Sequence, residues 1–454
     1  MNSQFQKGAK IHLIGIKGVG MTALAIILAE RGVKVSGSDT NEKFFTDKVL
    51  KNHKISFKEE FDFRNIPADV NAVICSTAYY FAGQAQNKNP EVESALEQKI
   101  PVLTYPEALG ILAKDYKVIA IAGSHGKSTT AAMLGWVMEK AGQNPNVIVG
   151  TRINDWNSNA RTGKSKYLVV EADEYRDAFL NYRPEIAVIT SIDYDHPDYF
   201  KTKASYYSAF KKLVDNTQKH LVVCGDDIKL RQLASYGKRK SLVVSTYGFL
   251  SDNDIVLQQT SVKQWSVFHA GNKSFTTAFP GQPYILNSGA VITVSKLLKI
   301  ADSKTQASLK TFPGTARRME VVKKNKNFTI IDDYAHHPTA IKMTLEGVKQ
   351  KYSDQRIIVI FQPHMFSRTK ALLKEFAKSF GSADVVGIME VYPSARESSG
   401  PVGGKQLAGQ TKLHHKNVSY VKDFSTAKKF IKTYSKNGNV IVLMGAGNIR
   451  NIIN

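Results

Sequence analysis

The sequence is poor in cysteine and in long apolar runs, and each shortage excludes a class of protein. Its 454 residues include only two cysteines, Cys75 and Cys224, which lie in separate apolar runs. This spacing argues against a disulfide framework and a cysteine metal site, so we expect two buried thiols. No run approaches the roughly 18 apolar residues that span a membrane, and residues 1–7 are too polar for a signal peptide. We therefore expect a cytoplasmic protein without a membrane partner.

Acidic residues are also scarce, with 39 Asp and Glu against 62 Lys and Arg, for a net charge of +23. Such a balance can indicate a nucleic-acid partner. The lysines are scattered, however, and neither a helix-turn-helix nor a zinc-finger pattern is present. We expect no nucleic-acid partner, because a basic balance also suits small polyanionic substrates such as nucleotides.

The length predicts about three domains, at roughly 150 residues each. Short apolar runs alternate with helical patterns through most of the chain, which is the rhythm of parallel α/β sheets. The segment from Lys240 to Pro280 has more short strands. We predict an α/β protein with a Rossmann-like N-terminal domain, a central P-loop ATPase-like α/β domain and a C-terminal Rossmann-like domain. The predicted boundaries are 1–115, 116–311 and 312–454.

The strongest local pattern is a glycine-rich turn between a predicted strand and a predicted helix. Backbone N–H groups at a helix start bind phosphate, the lysine would neutralise outer phosphates, and the following hydroxyl would bind Mg²⁺. Ile121 stands where the usual P-loop has its first glycine. The predicted nucleotide-binding residues are Gly123, Ser124, His125, Gly126, Lys127, Ser128 and Thr129.

A second glycine turn, with Gly15, Gly18 and Gly20, also joins a strand to a helix. Asp39 lies 19 residues after Gly20, close to the roughly 20 expected for an acid that binds ribose. The spacing G-x-x-G-x-G differs from the G-x-G-x-x-G of dehydrogenases. A diphosphate or ribose site is therefore predicted with its ligand open, and a merely tight turn is the alternative.

Acidic clusters follow two predicted strands, at residues 171–174 after Val170 and at residues 193–196 after Ile192. The carboxyl ends of parallel strands meet at the same edge of a sheet, so both clusters should lie near the phosphate loop. Carboxylates there can hold Mg²⁺, although His196 would be an unusual ligand for a hard cation. Capping or solvated acids are the alternative. Polar clusters at residues 332–338 and 362–368 predict a cleft in the third domain.

These clusters, in this order, resemble the Mur ligase family along nearly the whole chain. The resemblance is closest to the members that add L-alanine. It rests on eight stretches, none decisive alone: residues 15–21, 123–130, 171–174, 195–196, 317–320, 332–338, 361–369 and 445–447.

The resemblance implies a cytoplasmic, ATP- and Mg²⁺-dependent ligase of peptidoglycan synthesis. It would join L-alanine to UDP-N-acetylmuramate through an acyl phosphate, as a monomer or a weak homodimer. Lys127, Glu171 and His196 would be catalytic, and Ser128, Glu171 and His196 would hold metal. Implied UDP-substrate residues are Gly15, Gly18, Val19, Gly20, Asp39, Ser76, Thr77 and Asn159. Further ATP residues are Asn287, Arg318 and Asp333, and implied amino-acid residues are Tyr334, His336, His337 and Arg368.

The chain departs from the family pattern at Tyr175 and Arg176, after the acidic residues 171–174, and at two places that bear on the adenine and the acceptor. Pro283 and Tyr284 replace the first two residues of an H-N-x-x-N motif, so only Asn287 remains for the adenine. Met365 replaces an arginine expected near the acceptor, and a thioether cannot form the paired hydrogen bonds of a guanidinium. Losing that partner would cost roughly 1.5–3 kcal/mol unless another cation, such as Arg396, substitutes.

Four alternatives stay open at this stage. One is the sibling ligase that recycles a whole tripeptide onto UDP-N-acetylmuramate, and a more distant sibling is folylpolyglutamate synthase. A third is a nicotinamide-dependent oxidoreductase built on the first glycine turn, in which the second turn would have no role. The last is a nucleotide-binding protein without activity, against which Lys127, Glu171 and His196 argue.

The glycine-rich turn generates a direct prediction for Lys127→Ala. The substitution removes the charge that faces the transferring phosphoryl group, so we expect ADP formation to fall by on the order of 10²–10³. The measurement is ADP release under saturating substrates, with circular dichroism as the control for folding. Near-normal turnover by a folded variant would exclude Lys127 from the mechanism.

Overall fold

The structure is a computed structural model that describes residues 5–80, 89–262, 265–393 and 397–453. The chain divides into two compact units, and each is described by itself. The first unit comprises Met1–Ile192, Ser208–Thr246 and Ala290–Ser308, and the second comprises Asp193–Tyr207, Tyr247–Gly289 and Leu309–Asn454.

A five-stranded parallel sheet opens the first unit, with the strand order β3-β2-β1-β4-β5. The chain proceeds from β1 to one side and then returns to the other, so the direction of winding reverses between β1 and β4. Ligands of open α/β sheets bind at such a reversal. The strands and helices are β1 (Lys10–Ile14), α1 (Val19–Glu30), β2 (Lys34–Ser38), α2 (Phe45–Asn52), β3 (Ser56–Lys58), β4 (Ala72–Cys75), α3 (Thr77–Tyr80), α4 (Pro90–Glu97), β5 (Val102–Thr104) and α5 (Tyr105–Ala113).

A second group of strands in the first unit runs in the order β11-β10-β6-β9-β7-β8. All their pairings are parallel except that of β7 with β8. Buried strands of parallel sheets are apolar throughout, and β6 and β10 fit that rule. The elements are β6 (Lys117–Ala122), α6 (Lys127–Lys140), β7 (Asn146–Ile153), β8 (Ser158–Arg161), β9 (Tyr167–Glu171), β10 (Ile186–Ile189), α7 (Lys203–Asn216), β11 (His220–Cys224), α8 (Ile228–Arg239) and β12 (Val243–Gly248).

Helix α1 is apolar on every side, and Met21 to Leu28 are all buried. A helix that is apolar all round must be covered on all sides. It contacts β7 and β8 of the second strand group as well as β2, α2 and α5. The helix that follows the first glycine turn is therefore packed against both sheets of its unit.

In the second unit the end of β12 pairs with β13 at Tyr247 and Ile255. Strands β13, β14 and β15 then form an antiparallel ribbon with a bulge between Gln259 and Ser261. This agrees with the short strands predicted between Lys240 and Pro280. The elements are β13 (Ile255–Val262), β14 (Ser266–Ala270), β15 (Lys273–Thr277) and α9 (Gln282–Leu297), which crosses into the first unit at Ala290. Helix α10 (Asp302–Lys310) belongs to the first unit up to Ser308.

The C-terminal sheet of the second unit has the order β16-β17-β21-β18-β19-β20. Its strands are parallel except for the edge strand β16, which runs antiparallel to β17. The elements are β16 (Glu320–Lys324), β17 (Phe328–Asp333), α11 (Pro338–Lys351), β18 (Ile357–Phe361), α12 (Phe366–Ala371), α13 (Leu373–Ala377), β19 (Val385–Met389), α14 (Gly404–Lys412), β20 (Val418–Val421), α15 (Phe424–Tyr434) and β21 (Asn439–Met444).

The predicted α/β fold class is confirmed, whereas the boundaries 1–115, 116–311 and 312–454 stay a prediction. One strand is shorter than expected, since β10 ends at Ile189 and a three-residue loop separates it from Asp193. Cys75 and Cys224 are both free and buried, and burial raises the pKa of each thiol to about 12. Among the described residues, no helix combines the length and apolarity that a membrane crossing requires.

Candidate active site

The conformation of the turn between β6 and α6 is fixed by two glycines and by hydrogen bonds to a residue that follows β10. Gly123 and Gly126 have φ angles of +126° and +81°, which side chains rarely adopt. The N–H of Ser124 donates to the carbonyl of Ser191, and the N–H of His125 donates to the Ser191 hydroxyl at 2.9 Å. Because α6 begins at Lys127, its first backbone N–H groups lack acceptors within the helix and can bind phosphate.

Lys127 is held at this turn by a buried acid. Its Nζ lies 2.9 Å from Oε2 of Glu174 and donates to the carbonyl of Gly123 at 2.5 Å. Burial alone would lower the pKa of Lys127, but Glu174, Asp173 and Glu171 raise it above its ordinary value. The amine is therefore charged, as phosphate neutralisation requires. Glu174 lies in a motif predicted from the sequence, but its role as the partner of Lys127 was not foreseen.

Ser128 and Glu171 bring two hard oxygen ligands together at the start of α6. The Ser128 hydroxyl donates to Oε1 of Glu171 at 2.7 Å, and the N–H of Gly150 donates to Oε2 at 2.6 Å. A Cβ at position 150 would stand 2.8 Å from that carboxylate, so a larger residue there would displace Glu171 from its present position. Oxygen donors of this kind fit Mg²⁺, which prefers carboxylate and hydroxyl oxygens.

Asp39 stabilises the backbone of the first glycine turn through hydrogen bonds. It is buried, and its carboxylate accepts hydrogen bonds from the N–H groups of Lys17 (2.7 Å) and Thr40 (2.8 Å). The Tyr79 hydroxyl donates to the same side chain at 3.3 Å. Gly15 has a φ of +80°, and a Cβ there would stand 2.8 Å from the Tyr79 ring. The sequence predicts that Asp39 binds substrate, and these contacts show that it also shapes the turn.

Asn159, on β8, reaches the same turn from the second strand group. Its Nδ2 donates to the carbonyl of Val19 at 2.6 Å, and the residue is fully buried. Within the described part of the chain its Oδ1 has no hydrogen-bond donor. A buried acceptor without a donor is costly, so this oxygen is suited to receive a hydroxyl or N–H of a ligand. Ser76 and Thr77 lie nearby, since the Ser76 N–H donates to the carbonyl of Ile14 and α3 begins at Thr77.

Tyr105 belongs to this group, although sequence reasoning missed it. A Cβ on Gly20 would stand 2.9 Å from the Tyr105 hydroxyl, so the ring lies directly against the glycine turn. Burial raises the pKa of Tyr105, and the charges of Glu171 and Asp173 raise it further. The phenol is thus a neutral donor near both the glycine turn and the metal-ligand candidate. Its position directly after β5, at the carboxyl edge of the sheet, was the available signal.

The second unit contains a buried ion pair between Arg368 and Asp195. The Arg368 Nε donates to Oδ1 of Asp195 at 2.9 Å, and the exposed fractions of the two residues are 3% and 6%. Burial alone would raise the pKa of Asp195, but Arg368, with His196 and His336, lowers it well below its ordinary value. Asp195 also accepts the N–H of His196 at 2.7 Å, which fixes the loop that carries the predicted metal ligand.

The predicted amino-acid residues have different local roles. Burial, followed by the charge of Arg368, lowers the pKa of His336 well below its ordinary value, so its ring is neutral. Its Nδ1 lies 2.8 Å from the carbonyl of Tyr334. The Tyr334 ring lies about 5 Å from two guanidinium groups, those of Arg317 and Arg318. His337 accepts the N–H of Thr339 and caps α11, which is a structural role.

Two of the three predicted adenine and ribose residues, Arg318 and Asp333, lie in or next to the first two strands of the C-terminal sheet. Asp333 is buried, accepts the N–H groups of Met319 and Ala335, and has a pKa that burial raises. The charge of Arg318 opposes this rise in the pKa of Asp333, so the two side chains lie close together. Asn287 is buried on α9. Tyr284, which departs from the family pattern, is also buried, and its hydroxyl donates to the Arg318 carbonyl at 3.4 Å. Its role is therefore packing against this region.

Met365 occupies a position where an arginine side chain would be hard to place. Its side chain is 2% exposed, and its φ is +70° at the residue that precedes α12. A guanidinium in the same orientation would be buried and would require a buried partner. Arg396, proposed as a substitute cation, lies outside the described residues.

The structure thus assembles two sets of predicted residues. Lys127, Ser128 and Glu171 meet in the first unit, where Asn159 and the Gly15–Gly20 turn also lie. His196 and Arg368 meet in the second unit through Asp195, and Asn287, Arg318 and Asp333 belong to that unit too. The two sets are described separately because they belong to different units.

Three family descriptions match consecutive parts of the chain. Residues 10–117 match the "Mur ligase family, catalytic domain", residues 121–295 match the "Mur ligase middle domain", and residues 317–447 match the "Mur ligase, glutamate ligase domain".

Individual relatives extend over nearly the full length. The chain is 36% identical to UDP-N-acetylmuramate–L-alanine ligase of Caldanaerobacter subterraneus subsp. tengcongensis, across 99% of this chain and 97% of that protein. Its fold is similar to the crystal structure of UDP-N-acetylmuramate-alanine ligase MurC from Thermotoga maritima, with a TM-score of 0.81, 26% identity, and coverage of 98% and 97%. A murein peptide ligase from Psychrobacter arcticus shares the fold at a TM-score of 0.70, with 22% identity and coverage of 98% and 97%.

The Asp195–Arg368 pair generates a prediction for stability. Asp195→Asn leaves Arg368 buried without its counter-charge, so we expect the free energy of unfolding at pH 7 to fall by about 3–5 kcal/mol. A carboxylate with a lowered pKa stabilises the fold above its unfolded pKa of about 4, and this contribution is lost as the pH falls. The difference between the two proteins should therefore shrink below about pH 4. Urea unfolding at pH 7 and pH 2.5 measures it, because the contribution is lost gradually between the unfolded and the lowered folded pKa.

The control is Asp62→Asn, which breaks the exposed pair of Asp62 with Arg64 and should change stability little. A loss that is the same at both pH values would show that Asp195 stabilises the fold by packing rather than by charge.

Proposed function

The chain belongs to the Mur ligase family, and on that premise we propose that it joins L-alanine to UDP-N-acetylmuramate with ATP. The product is a precursor of peptidoglycan. The observation that carries the proposal is the meeting of Lys127, Ser128 and Glu171 at the start of α6, in one unit with the first glycine turn. The full-length similarity to named alanine ligases supports the same acceptor.

In the first step an oxygen of the lactoyl carboxylate attacks the γ-phosphorus of ATP, and ADP leaves. Phosphoryl transfer needs little covalent help from the protein, so positioning and charge neutralisation dominate. The N–H groups at the start of α6 bind phosphate oxygens. Lys127 exchanges its contact with Glu174 for the outer phosphates, and it stays charged because three nearby carboxylates raise its pKa.

We propose Mg²⁺ as the metal of this site. Ser128 and Glu171 fit it by the chemistry of their oxygens, and His196 is the further ligand that the family resemblance implies. The ion would neutralise charge on the phosphates. The N–H of Gly150 fixes one oxygen of Glu171 and so orients the carboxylate before the ion binds.

The substrate's UDP group is assigned to the first glycine turn, at the reversal between β1 and β4. The Oδ1 of Asn159, which has no donor among the described residues, can accept from a sugar hydroxyl or an amide N–H, and the Tyr105 phenol can donate. The charge of Glu171 raises the pKa of Tyr105, so Tyr105 lies close to the proposed metal ligand, and a sugar bound at Tyr105 would lie near the ATP side of the site. The reacting carboxylate would thereby be directed to the γ-phosphate.

In the second step the amine of L-alanine attacks the acyl-phosphate carbonyl, loses a proton, and phosphate leaves. We propose that Arg368 binds the acceptor's carboxylate. Its contacts within the described residues use Nε and Nη1, towards Asp195 and His364, so Nη2 remains for the ligand. His336 is neutral because burial and the charge of Arg368 lower its pKa, so it does not repel the ammonium group of the acceptor.

The alternatives are less well supported. The recycling alternative is represented by the murein peptide ligase of Psychrobacter arcticus, which is 22% identical to this chain. A similarity at that level shows only that the fold is shared. A nicotinamide oxidoreductase gives no role to Lys127 or Glu171. We also propose that the reaction takes place in the cytoplasm, where ATP is available, and that the enzyme is a monomer or a weak homodimer.

An acceptor panel tests the assignment of L-alanine. Phosphate release from ATP, measured with UDP-N-acetylmuramate and each amine in turn, should be fastest with L-alanine. Serine and glycine should be slower because each changes the contact made by one methyl group, which is worth roughly 1–3 kcal/mol. The panel includes the L-alanyl-γ-D-glutamyl-meso-diaminopimelate tripeptide. A preference for that tripeptide would replace the proposal with the recycling reaction, and release without any amine would point to simple hydrolysis.

Arg368→Lys tests the acceptor's carboxylate site. Lysine keeps the positive charge beside Asp195 but loses the planar fork that binds both carboxylate oxygens. We expect the KM for L-alanine to rise on the order of ten- to hundred-fold, with a smaller change in the KM for ATP. Lys370→Arg, at an exposed position on the same helix, is the control. Equal changes in both KM values would assign Arg368 a structural role only.

A further inference from the structure

A cavity of about 400 Å³ lies in the second unit, and none of its lining residues belongs to the candidate active site. It is bounded by the residue before β14 and the residue after β15, by β16, and by the end of α11. Its size is within the range of small-molecule sites in proteins. The lining residues are Trp265, Ala278, Val321, Lys324, Lys351, Tyr352 and Gln355.

The topology separates this cavity from the candidate active site. Strand β16 is antiparallel to β17, so Lys324 pairs with Thr329 at the amino end of β17, whereas Asp333 lies at the carboxyl end. Helix α11 begins at Pro338, beside the active-site histidines, and ends at Lys351 in the cavity wall. At 1.5 Å per residue, its 14 residues place the two ends about 20 Å apart. The cavity therefore lies at the opposite edge of the sheet.

The lining carries two ammonium groups and no carboxylate. Burial lowers the pKa of Lys351, and the charge of Lys324 lowers it further. Neither lysine forms an ion pair within the described part of the chain. Two cations that repel each other without a counter-charge form a site that an anion would stabilise.

The remaining lining residues indicate what else the ligand carries. Trp265 is 48% exposed, although an indole usually buries most of its surface, and Tyr352 supplies a second ring. Aromatic side chains of this kind stack on nucleobases. Gln355 has a buried Oε1 without a donor among the described residues, and a base or ribose could supply one.

We propose that this cavity is a second ligand site, which takes a nucleotide-like anion with a flat ring. Lys324 and Lys351 bind the phosphate, Trp265 stacks on the ring, and Gln355 accepts a hydrogen bond from it. The proposal does not depend on the ligase reaction. Helix α11 connects the occupied cavity to His336 and His337, so the ligand is placed where it can influence the active site through one rigid element.

The experiment uses guanosine 5′-monophosphate as the probe, on the full-length protein with its phosphate loop saturated by a non-hydrolysable ATP analogue. Trp265 is the most exposed of the three tryptophans, Trp136 and Trp156 being the others, so its emission reports on the cavity. We expect saturable quenching that Trp265→Phe removes. Calorimetry should show affinity lower on the order of tenfold or more for Lys324→Ala and for Lys351→Ala. Lys326 lies in the turn between β16 and β17 and does not line the cavity, so Lys326→Ala should bind the probe as tightly as the unchanged protein.

Several outcomes would overturn the proposal. One is the absence of quenching at millimolar probe. A second is equal weakening by Lys326→Ala, which would indicate non-specific attraction to a basic surface. A third is equally tight binding of inorganic phosphate, which would leave the aromatic residues without a role. Binding that disappears with Lys127→Ala but persists in Lys351→Ala would place the probe at the phosphate loop instead.

Discussion

Backbone N–H groups at the start of a helix have no acceptors within that helix, and the candidate active site depends on where those starts lie. Parallel strands bring all their carboxyl ends to one edge of a sheet, so the helix starts that follow them gather there too. The phosphate loop after β6 and the glycine turn after β1 are two such starts, on different sheets of one compact unit. Glu171 is the last residue of β9, which pairs with β6 in parallel, and this is why its carboxylate meets Ser128 at the start of α6.

The two cations proposed to bind substrate groups are largely shielded from solvent, and each is paired with a carboxylate. Lys127 is paired with Glu174, and Arg368 is paired with Asp195. Burial without a partner would lower the pKa of an amine and favour its neutral form, so Glu174 helps to keep Lys127 charged. Asp195 balances the charge of the Arg368 guanidinium. The pairing also sets geometry, because each cation is held at a defined position that a phosphate or carboxylate can later share or take over.

The glycine turn that is assigned to the UDP group is not confined to its own sheet. Helix α1 packs against β7 and β8, and Asn159 of β8 donates to the carbonyl of Val19. A substrate bound at this turn is therefore positioned relative to the phosphate loop by a packed core rather than by a flexible connection. Helix α11 has a comparable role in the second unit, since one end lies beside the histidine cluster and the other lines the remote cavity.

The sequence by itself determined the α/β class, the two glycine turns and the chemistry of the phosphate loop. These features depend on periodicity and on backbone conformations that a few neighbouring residues impose. Only the tertiary structure decided that Tyr105 lies against Gly20 and that Met365 is buried. It also decided that Arg368 pairs with Asp195, 173 residues away, and that Lys324 and Lys351 share a cavity. Such contacts join residues that are far apart in the chain, and only the packing of whole elements brings them together.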